Sequence, residues 1–319
     1  MKRKIQKVIV LVIVILAGAS AYALFSGVNP IIRYEGSLSI PATPDRPWVS
    51  ESMALAMRDP PPTAIAGPMV WTEIAPGFDV AELPATAEDR EVDRIMLARI
   101  DSRRFRFSVR NAPAANKRLA DWMSDLGAAL VVNGSFFTKT GAPETPIVSD
   151  GAALGPTTYD SKHGAFVSVG GVASIRDLQH DDWQKAFQGA DDGMVSYPLL
   201  IASDGSTSRA PTGSKWLANR SFVGQDSAGR MIIGTTTDAF FSLDRLAEFL
   251  KEAPLDLTIA LNLDGGPVAC QGIRLNGFQR RQCGRWEMRV QYGQPRMAVP
   301  WRVFGTAPMP IVLAAFPRT

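Results

Sequence analysis

Two stretches of the chain end an apolar run in side chains able to do chemistry. One is Ala129-Leu-Val-Val-Asn133-Gly134-Ser135-Phe136-Phe137, and the other is Asp256-Leu-Thr-Ile-Ala-Leu-Asn262-Leu-Asp264-Gly265-Gly266. In the second, side chains alternating across a strand send Leu257, Ile259, Leu261 and Leu263 to one face and Thr258, Ala260, Asn262 and Asp264 to the other. The polar face then delivers an amide and a carboxylate to the strand end, where two glycines let the backbone turn sharply or approach a ligand closely. Asn133 and Ser135 leave their strand beside Gly134 in the same way. Each stretch alone reads equally as a strand closing into a turn, because Asn, Asp and Gly favour turns for local hydrogen-bonding reasons. Two strands of one design point to a shared site. Its carboxylate and amides suit a polar ligand, and hard oxygen donors such as Asp264, Asp238 and Asn262 would also suit calcium or magnesium, although nothing in the sequence requires a cofactor.

Composition removes other chemistries. Two cysteines and two histidines, His163 and His180, cannot build a Cys-rich or His-rich metal centre. There is no Gly-x-Ser-x-Gly elbow, no phosphate-cradling Gly-x-x-x-x-Gly-Lys loop and no His-Glu-x-x-His motif. The formal charge of +3 owes its sign to Lys2, Arg3, Lys4 and Lys7, all upstream of the first acidic residue, Glu35. The rest of the chain is slightly acidic, which argues against a nucleic-acid partner held through phosphates.

The elements that must position these groups follow in order. After the basic start, Val8 to Phe25 is an unbroken run of apolar and small residues, readable as a signal peptide with small-x-small cleavage patterns or as a retained membrane anchor. Either reading exports the bulk of the chain to a periplasmic or cell-surface location. Residues 27–69 are proline-rich and expected to form a tether or a segment draped on the domain. The domain proper is expected over 70–319, with strands near 94–100 and 104–110, a helix over 115–126 and the strand ending at Asn133. A long loop then carries Glu144 and Asp150, followed by strands at 165–169 and 172–175, a short helix over 181–190 and a strand over 195–202. A hairpin of 220–225 with 231–237 and a helix over 243–253, capped by Ser242, lead into the Asp264 strand. Strand-like pieces at 298–304 and 311–313 close the chain. The fold class is α+β: a single domain with a mixed, largely antiparallel sheet and flanking helices, preceded by the N-terminal membrane segment. Cys270 and Cys283 are either a disulfide or two inert thiols. Export favours the disulfide.

Taken together, these residues resemble the phosphodiester glycosidase family, whose bacterial members are associated with exopolysaccharide biosynthesis. The resemblance rests on an ordered set: Val132-Asn-Gly-Ser-Phe-Phe137, Ser149-Asp-Gly151, Tyr197-Pro-Leu-Leu-Ile201 with Asp204-Gly205, Arg220 with Gly224, Thr237-Asp238, the Leu243–Leu250 helix, and Leu261-Asn-Leu-Asp-Gly-Gly266. It covers roughly residues 90 to 315. Members commonly continue the last motif with a further glycine and hydroxyl side chains, where this chain has Pro267, Val268, Ala269 and Cys270.

The resemblance implies hydrolysis of a sugar-1-phosphodiester in a glycan or lipid-linked sugar. That reaction needs a carboxylate at an oxocarbenium-like centre and a second group to activate water or protonate the departing oxygen. Asp264 is the expected carboxylate and Asp238 its partner. Arg220 is the expected phosphate contact, with Lys215 and His163 as further candidates. Asn133, Ser135 and Asn262 would bind sugar hydroxyls, and Gly134, Gly265 and Gly266 would allow close backbone approach. The lost hydroxyls after Gly266 support a rival, a non-catalytic carbohydrate-binding or exopolysaccharide-assembly protein of the same fold.

Overall fold

The computed structural model describes residues 2–25, 31–32, 37–46, 49–114, 116–160, 163–179, 181–207, 216–291, 294–300 and 307–318. Lys215 and His180 lie outside the described residues, as do residues 301–304 of the expected strand at 298–304.

The architecture is dominated by antiparallel sheet. An eight-stranded sheet includes, in hydrogen-bonded order, Leu199–Ile201, Leu257–Asn262, Ser221–Asp226, Met231–Thr236, Arg90–Ile100 and Phe78–Ala87. A five-stranded sheet runs Phe278–Cys283, Cys270–Leu275, Leu130–Asn133, Ile311–Pro317, Phe105–Asn111. Another carries Ile147–Ser149, Gly164–Val169, Val172–Asp177 and Asp192–Ser196, and a further one joins Leu217–Ala218, Glu287–Gln291, Gln294–Pro300 and Ser37–Pro41.

The expected mixed sheet is corrected here: the pairings among the described residues are antiparallel. The unit read as strand, helix, strand does place Phe105–Asn111 and Leu130–Asn133 in one sheet, but Ile311–Pro317 from the chain's end inserts between them and pairs antiparallel with both. No local pattern announces so distant a partner.

Layering explains the sequence patterns. One apolar core lies between the eight-stranded sheet and the helices Glu51–Ala56 and Leu243–Glu252, with Leu97, Ile232, Ala260, Leu246 and Phe249 among its members. A second fills the space between that sheet and the five-stranded sheets, and takes Ile259, Leu261, Leu263, Leu130, Val132 and Phe166. A third lies under the helix Leu119–Leu126, between Trp122, Met123, Val131 and Cys270. Leu130–Asn133 is thus buried on both faces, which is why it reads as a continuous apolar run. The alternation from Ile259 to Leu263 holds. At Leu257 it fails, because a register shift opposite Gln225 and Asp226 inserts an extra residue and turns Leu257 to the other core.

Several boundaries shift. The helix expected from 115 starts at Leu119, and that over 181–190 shrinks to Trp183–Ala186. Ser242 holds the N-cap position of Leu243–Glu252, but its hydroxyl donates to Asp244 Oδ1 at 2.5 Å instead of accepting a backbone N–H. The strand expected over 195–202 breaks at Tyr197-Pro198 into two strands of different sheets. The proline-rich segment contributes Met53, Leu55 and Ala56 to a core, and Ile65–Ala66 to the edge of the eight-stranded sheet.

At the N-terminus a helix spans Lys2–Phe25, and the apolar side chains of Ile9 to Leu16 are exposed along it. Among the described residues no helix meets the length and apolarity needed to cross a membrane.

Cys270 and Cys283 form a disulfide between directly paired residues of one hairpin. Replacing both by serine is expected to lower stability by roughly 2–3 kcal/mol, as for a short closed loop, in denaturant melts. Gly134 has no room for a side chain, since a Cβ there would sit 2.5 Å from Ile311 Cγ2 and 3.1 Å from the Ile311 backbone carbon. Gly134→Ala should therefore cost about 1–3 kcal/mol by the same measurement.

Candidate active site

The two polar strand ends meet. Asn133 Nδ2 donates to the main-chain oxygen of Asp264 at 2.7 Å, its Oδ1 accepts from the Cys270 amide at 3.1 Å, and the Asp264 amide donates to Gly134 O at 3.0 Å. Asn133 is 2% exposed, so its side chain holds the 264–270 loop and does not face solvent. Ser135 is also buried, and its hydroxyl accepts from Thr145 Oγ1 at 3.0 Å. Asn262 donates through Nδ2 to Tyr197 O at 2.8 Å, while its buried Oδ1 has no hydrogen-bond partner.

Asp264 keeps part of its surface in solvent, unlike these amides. Its Oδ1 accepts from the Gly265 amide at 2.8 Å. Burial pushes its carboxyl pKa up to about 7 against the lowering effect of the Gly265 N–H; Glu287 and Glu144 push it further up and Arg220 pulls it down. An acid held near neutrality among carboxylates and one buried cation can exchange a proton with substrate or water.

The two glycines make this cluster possible. A Cβ on Gly265 would lie 3.0 Å from Asn219 O and 3.4 Å from Arg220 Nη1, and one on Gly266 would meet Glu287 Oε2 at 3.3 Å. Gly266 also has a φ of +70°, a conformation that side-chain-bearing residues rarely adopt. Arg220 and Glu287 therefore flank the loop at contact distance.

Arg220 is 4% exposed and committed to the chain itself: Nη2 donates to Trp216 O at 2.6 Å and Nε to Phe241 O at 3.3 Å. Burial lowers its pKa to about 10, so it stays charged at neutral pH. Asn219 organises the surroundings. Its Oδ1 accepts from the Arg285 and Trp286 amides at 2.8 and 3.0 Å, its Nδ2 donates to Thr236 O and Asp238 O, and its carbonyl accepts from Gly266 N at 2.8 Å. It thereby fixes the position from which Glu287 reaches Gly266.

Aromatic rings stand beside Asn262, whose Nδ2 holds the Tyr197 carbonyl. Tyr197 is stacked on Phe136, with centroids 4.1 Å apart, and on His163, 4.8 Å apart. Burial depresses the His163 pKa below its usual value, which favours the neutral imidazole.

Asp238 sits elsewhere. Its Oδ1 accepts from the Ala239 amide at 2.8 Å, its Oδ2 from the Ser50 hydroxyl at 3.1 Å, and its own amide donates to Asp93 Oδ1 at 2.9 Å. Asp238, Asn262 and Asp264 therefore do not converge side chain to side chain, and among the described residues no three His, Cys, Asp or Glu side chains cluster as a cation cage. A hollow of about 280 Å³ lined by Pro44, Glu51, Leu55 and Arg90, among others, holds none of the Asp264 neighbours.

Sequence reasoning placed Asp264, Arg220, His163 and the glycines here, and passed over Glu287, Asn219 and Tyr197. Glu287 has no pattern around it. Asn219 was hidden beside Arg220, and Tyr197 stood at the head of the Tyr197–Ile201 motif without a role of its own.

Residues 126–270 match the sequence model of the phosphodiester glycosidase family. Among solved structures, the chain resembles the catalytic domain of zebrafish N-acetylglucosamine-1-phosphodiester alpha-N-acetylglucosaminidase, auto-inhibited by its pro-peptide, with a TM-score of 0.52 and 16% identity over 81% of this chain and 89% of that one. It also resembles a hypothetical protein from Synechocystis, with a TM-score of 0.50 and 14% identity over 79% of this chain. It spans 64% of that protein, less than two thirds of its length. At such identities the likeness is one of fold. A search of curated protein sequences finds no match.

The raised carboxyls fix a sign for pH dependence. Asp264 and Asp93 titrate in the folded protein near 7 and 8 instead of 3.8, so the stability they allow is full below about pH 4 and declines as pH rises through those values. Asp264→Asn removes the first part. Melts at pH 4, 6 and 8 should show no difference from wild type at pH 4 and a variant more stable by about 1–3 kcal/mol at pH 8, the lower part of the range because Asp264 is partly solvated.

Proposed function

We propose, from the match of residues 126–270 to the phosphodiester glycosidase family, that this chain is an exported hydrolase cleaving the bond between a sugar's anomeric carbon and a phosphate in a glycan or lipid-linked sugar. The observation that carries this reading is Asp264, a carboxyl with a pKa of about 7 at the Gly265-Gly266 loop, within electrostatic reach of Glu287, Glu144 and buried Arg220. N-acetylglucosamine 1-phosphodiesters are the first substrates to try, because the zebrafish protein of similar fold is named for them.

In the proposed reaction the bond from the anomeric carbon to the phosphate oxygen breaks, and the phosphate departs with the electron pair. Water adds to the anomeric carbon and gives up a proton. A phosphate leaves readily, so the demand falls on stabilising positive charge at the ring and on accepting the water proton. Asp264 and Glu287 are the groups we assign to these two tasks. Arg220 is given a different role from the one its sequence suggested: its Nη2 and Nε are engaged by Trp216 and Phe241, and its charge favours ionised carboxylates beside it. Asn133 and Asn219 hold the loop, and Asn262 holds the Tyr197 carbonyl. Asp238 is retained in this reading as a support of the 236–240 turn.

Export is supported by the basic residues before the exposed apolar helix and by the disulfide. The rival reading, a carbohydrate-binding protein without turnover, is favoured by one observation: the turn Gly266–Val268 and Ala269 offer no hydroxyl to a ligand.

Purified protein should release free sugar from a sugar-1-phosphodiester. Asp264→Asn should fold normally and lose about 10³-fold in kcat, and Glu287→Gln about 10²-fold, the span expected for acid–base groups. Undiminished turnover by Asp264→Asn would reject the assignment, and glycan binding without turnover across a substrate panel would favour the rival.

A further inference from the structure

Tyr197 stands where the chain passes from the Asp192–Ser196 strand to the Leu199–Ile201 strand of another sheet. Its ring is clamped on both faces, by Phe136 at 4.1 Å with a 22° interplanar angle and by His163 at 4.8 Å with 29°. The clamp is tied to the Asp264 loop twice. Tyr197 O accepts from Asn262 Nδ2 at 2.8 Å, and Phe136 follows the Asn133 strand end whose amide holds Asp264. With both faces covered, the ring has no stacking surface left for a sugar. What it can offer a ligand is its hydroxyl, which no described residue hydrogen-bonds.

Most donors around Asp264 are committed, Arg220 Nη1 at the Gly265 side excepted. The amides of residues 264, 265, 266, 269 and 270 all donate within the chain. So do Arg220 Nη2 and Nε. Glu287 and Glu144 flank Asp264 and would repel an incoming phosphate. The Tyr197 phenol lies within electrostatic reach of Glu144 and Asp264, and burial and these charges hold it protonated, hence a donor. A phosphate reaching Asp264 needs a donor, and this flank supplies one.

We propose that Tyr197 is a substrate-contacting residue whose hydroxyl donates a hydrogen bond to a phosphate oxygen at the scissile bond. The assignment rests on the phosphodiester reading above and deepens it: the stack of Phe136, Tyr197 and His163 fixes the phosphate side of the site, leaving the sugar to the Gly265-Gly266 side.

Tyr197→Phe tests it, because the ring and its stacking remain. For a sugar-1-phosphodiester, kcat/KM should fall roughly 10- to 100-fold, the range for losing a hydrogen bond to a charged group, with an unchanged melting midpoint. Calorimetric affinity for the sugar-1-phosphate should fall similarly, and that for the free sugar should stay within about 2-fold. Unchanged kcat/KM and affinity, or equal losses for phosphorylated and free sugar, would overturn the proposal. A wild-type protein that turns over no sugar-1-phosphodiester counts against the hydrolase reading and leaves Tyr197 to the binding measurement. There, selective loss of sugar-1-phosphate affinity supports the contact, and equal affinity or no wild-type binding overturns it.

Discussion

The arrangement depends on one carboxamide. Asn133 donates to Asp264 O and accepts from Cys270 N, bridging the start and the end of the loop that carries the glycines. An amide carries its donor and its acceptor on two separate atoms and so spans both partners, whereas an ionised carboxylate has no donor and a hydroxyl places both functions on one atom. The bridge is buried, so removing it would leave a carbonyl and an N–H without partners, a cost beyond that of two average hydrogen bonds. It also joins sheets. Leu130–Asn133 belongs to a five-stranded sheet and Leu257–Asn262 to the eight-stranded one, so the site lies at their seam.

That seam accounts for the electrostatics. Asp264 leaves the core where the sheets diverge, with enough burial to raise its pKa and enough exposure to meet a ligand. A lone buried carboxylate would stay protonated, and a fully solvated one would titrate far below neutrality. Arg220 sets the balance from behind. Its guanidinium is anchored by two main-chain carbonyls, so its charge is fixed in place without the flexibility of a surface side chain. Asn219 does for Glu287 what Asn133 does for Asp264, holding one chain segment against another through an amide. Carboxylates brought close to one another repel, and these buried amides supply part of the constraint that keeps them there.

Much of this was legible where the physics is local. Alternation revealed the buried face from Ile259 to Leu263, and the amphipathic spacing of Leu246, Ala247 and Leu250 revealed the helix before it. Two like-patterned strand ends correctly suggested a meeting of Asn133 with the Asp264 loop. What escaped was set by partners distant in sequence. Insertion of Ile311–Pro317 between two nearby strands leaves no local trace. Arg220 looked like a phosphate contact because nothing in its neighbourhood says that Trp216 and Phe241 carbonyls engage it. The glycines looked like turn formers. Gly265 is better explained by what approaches it, since Asn219 O and Arg220 Nη1 occupy the space of a side chain. Asp238 has the composition of a catalytic acid and the contacts of a turn, and composition alone does not separate the two.

The departure after Gly266 gains meaning from the same geometry. Pro267 opens a tight turn, Gly266–Val268, whose Ala269 amide closes back onto Gly266 O at 3.1 Å. Proline fixes φ and removes one N–H, so the turn is stiffened and contributes fewer donors to a ligand. A chain with hydroxyls at these positions could grip an anion from the loop itself. Here the loop carries a carboxylate and no free hydroxyl, and a donor is supplied by Tyr197, held flat between two rings. A rigid loop bearing the acid and a rigid stack bearing the donor divide the work between two elements, both fastened to the amides of Asn133 and Asn262. Substitutions in the loop and in the stack should then act on different parts of a ligand.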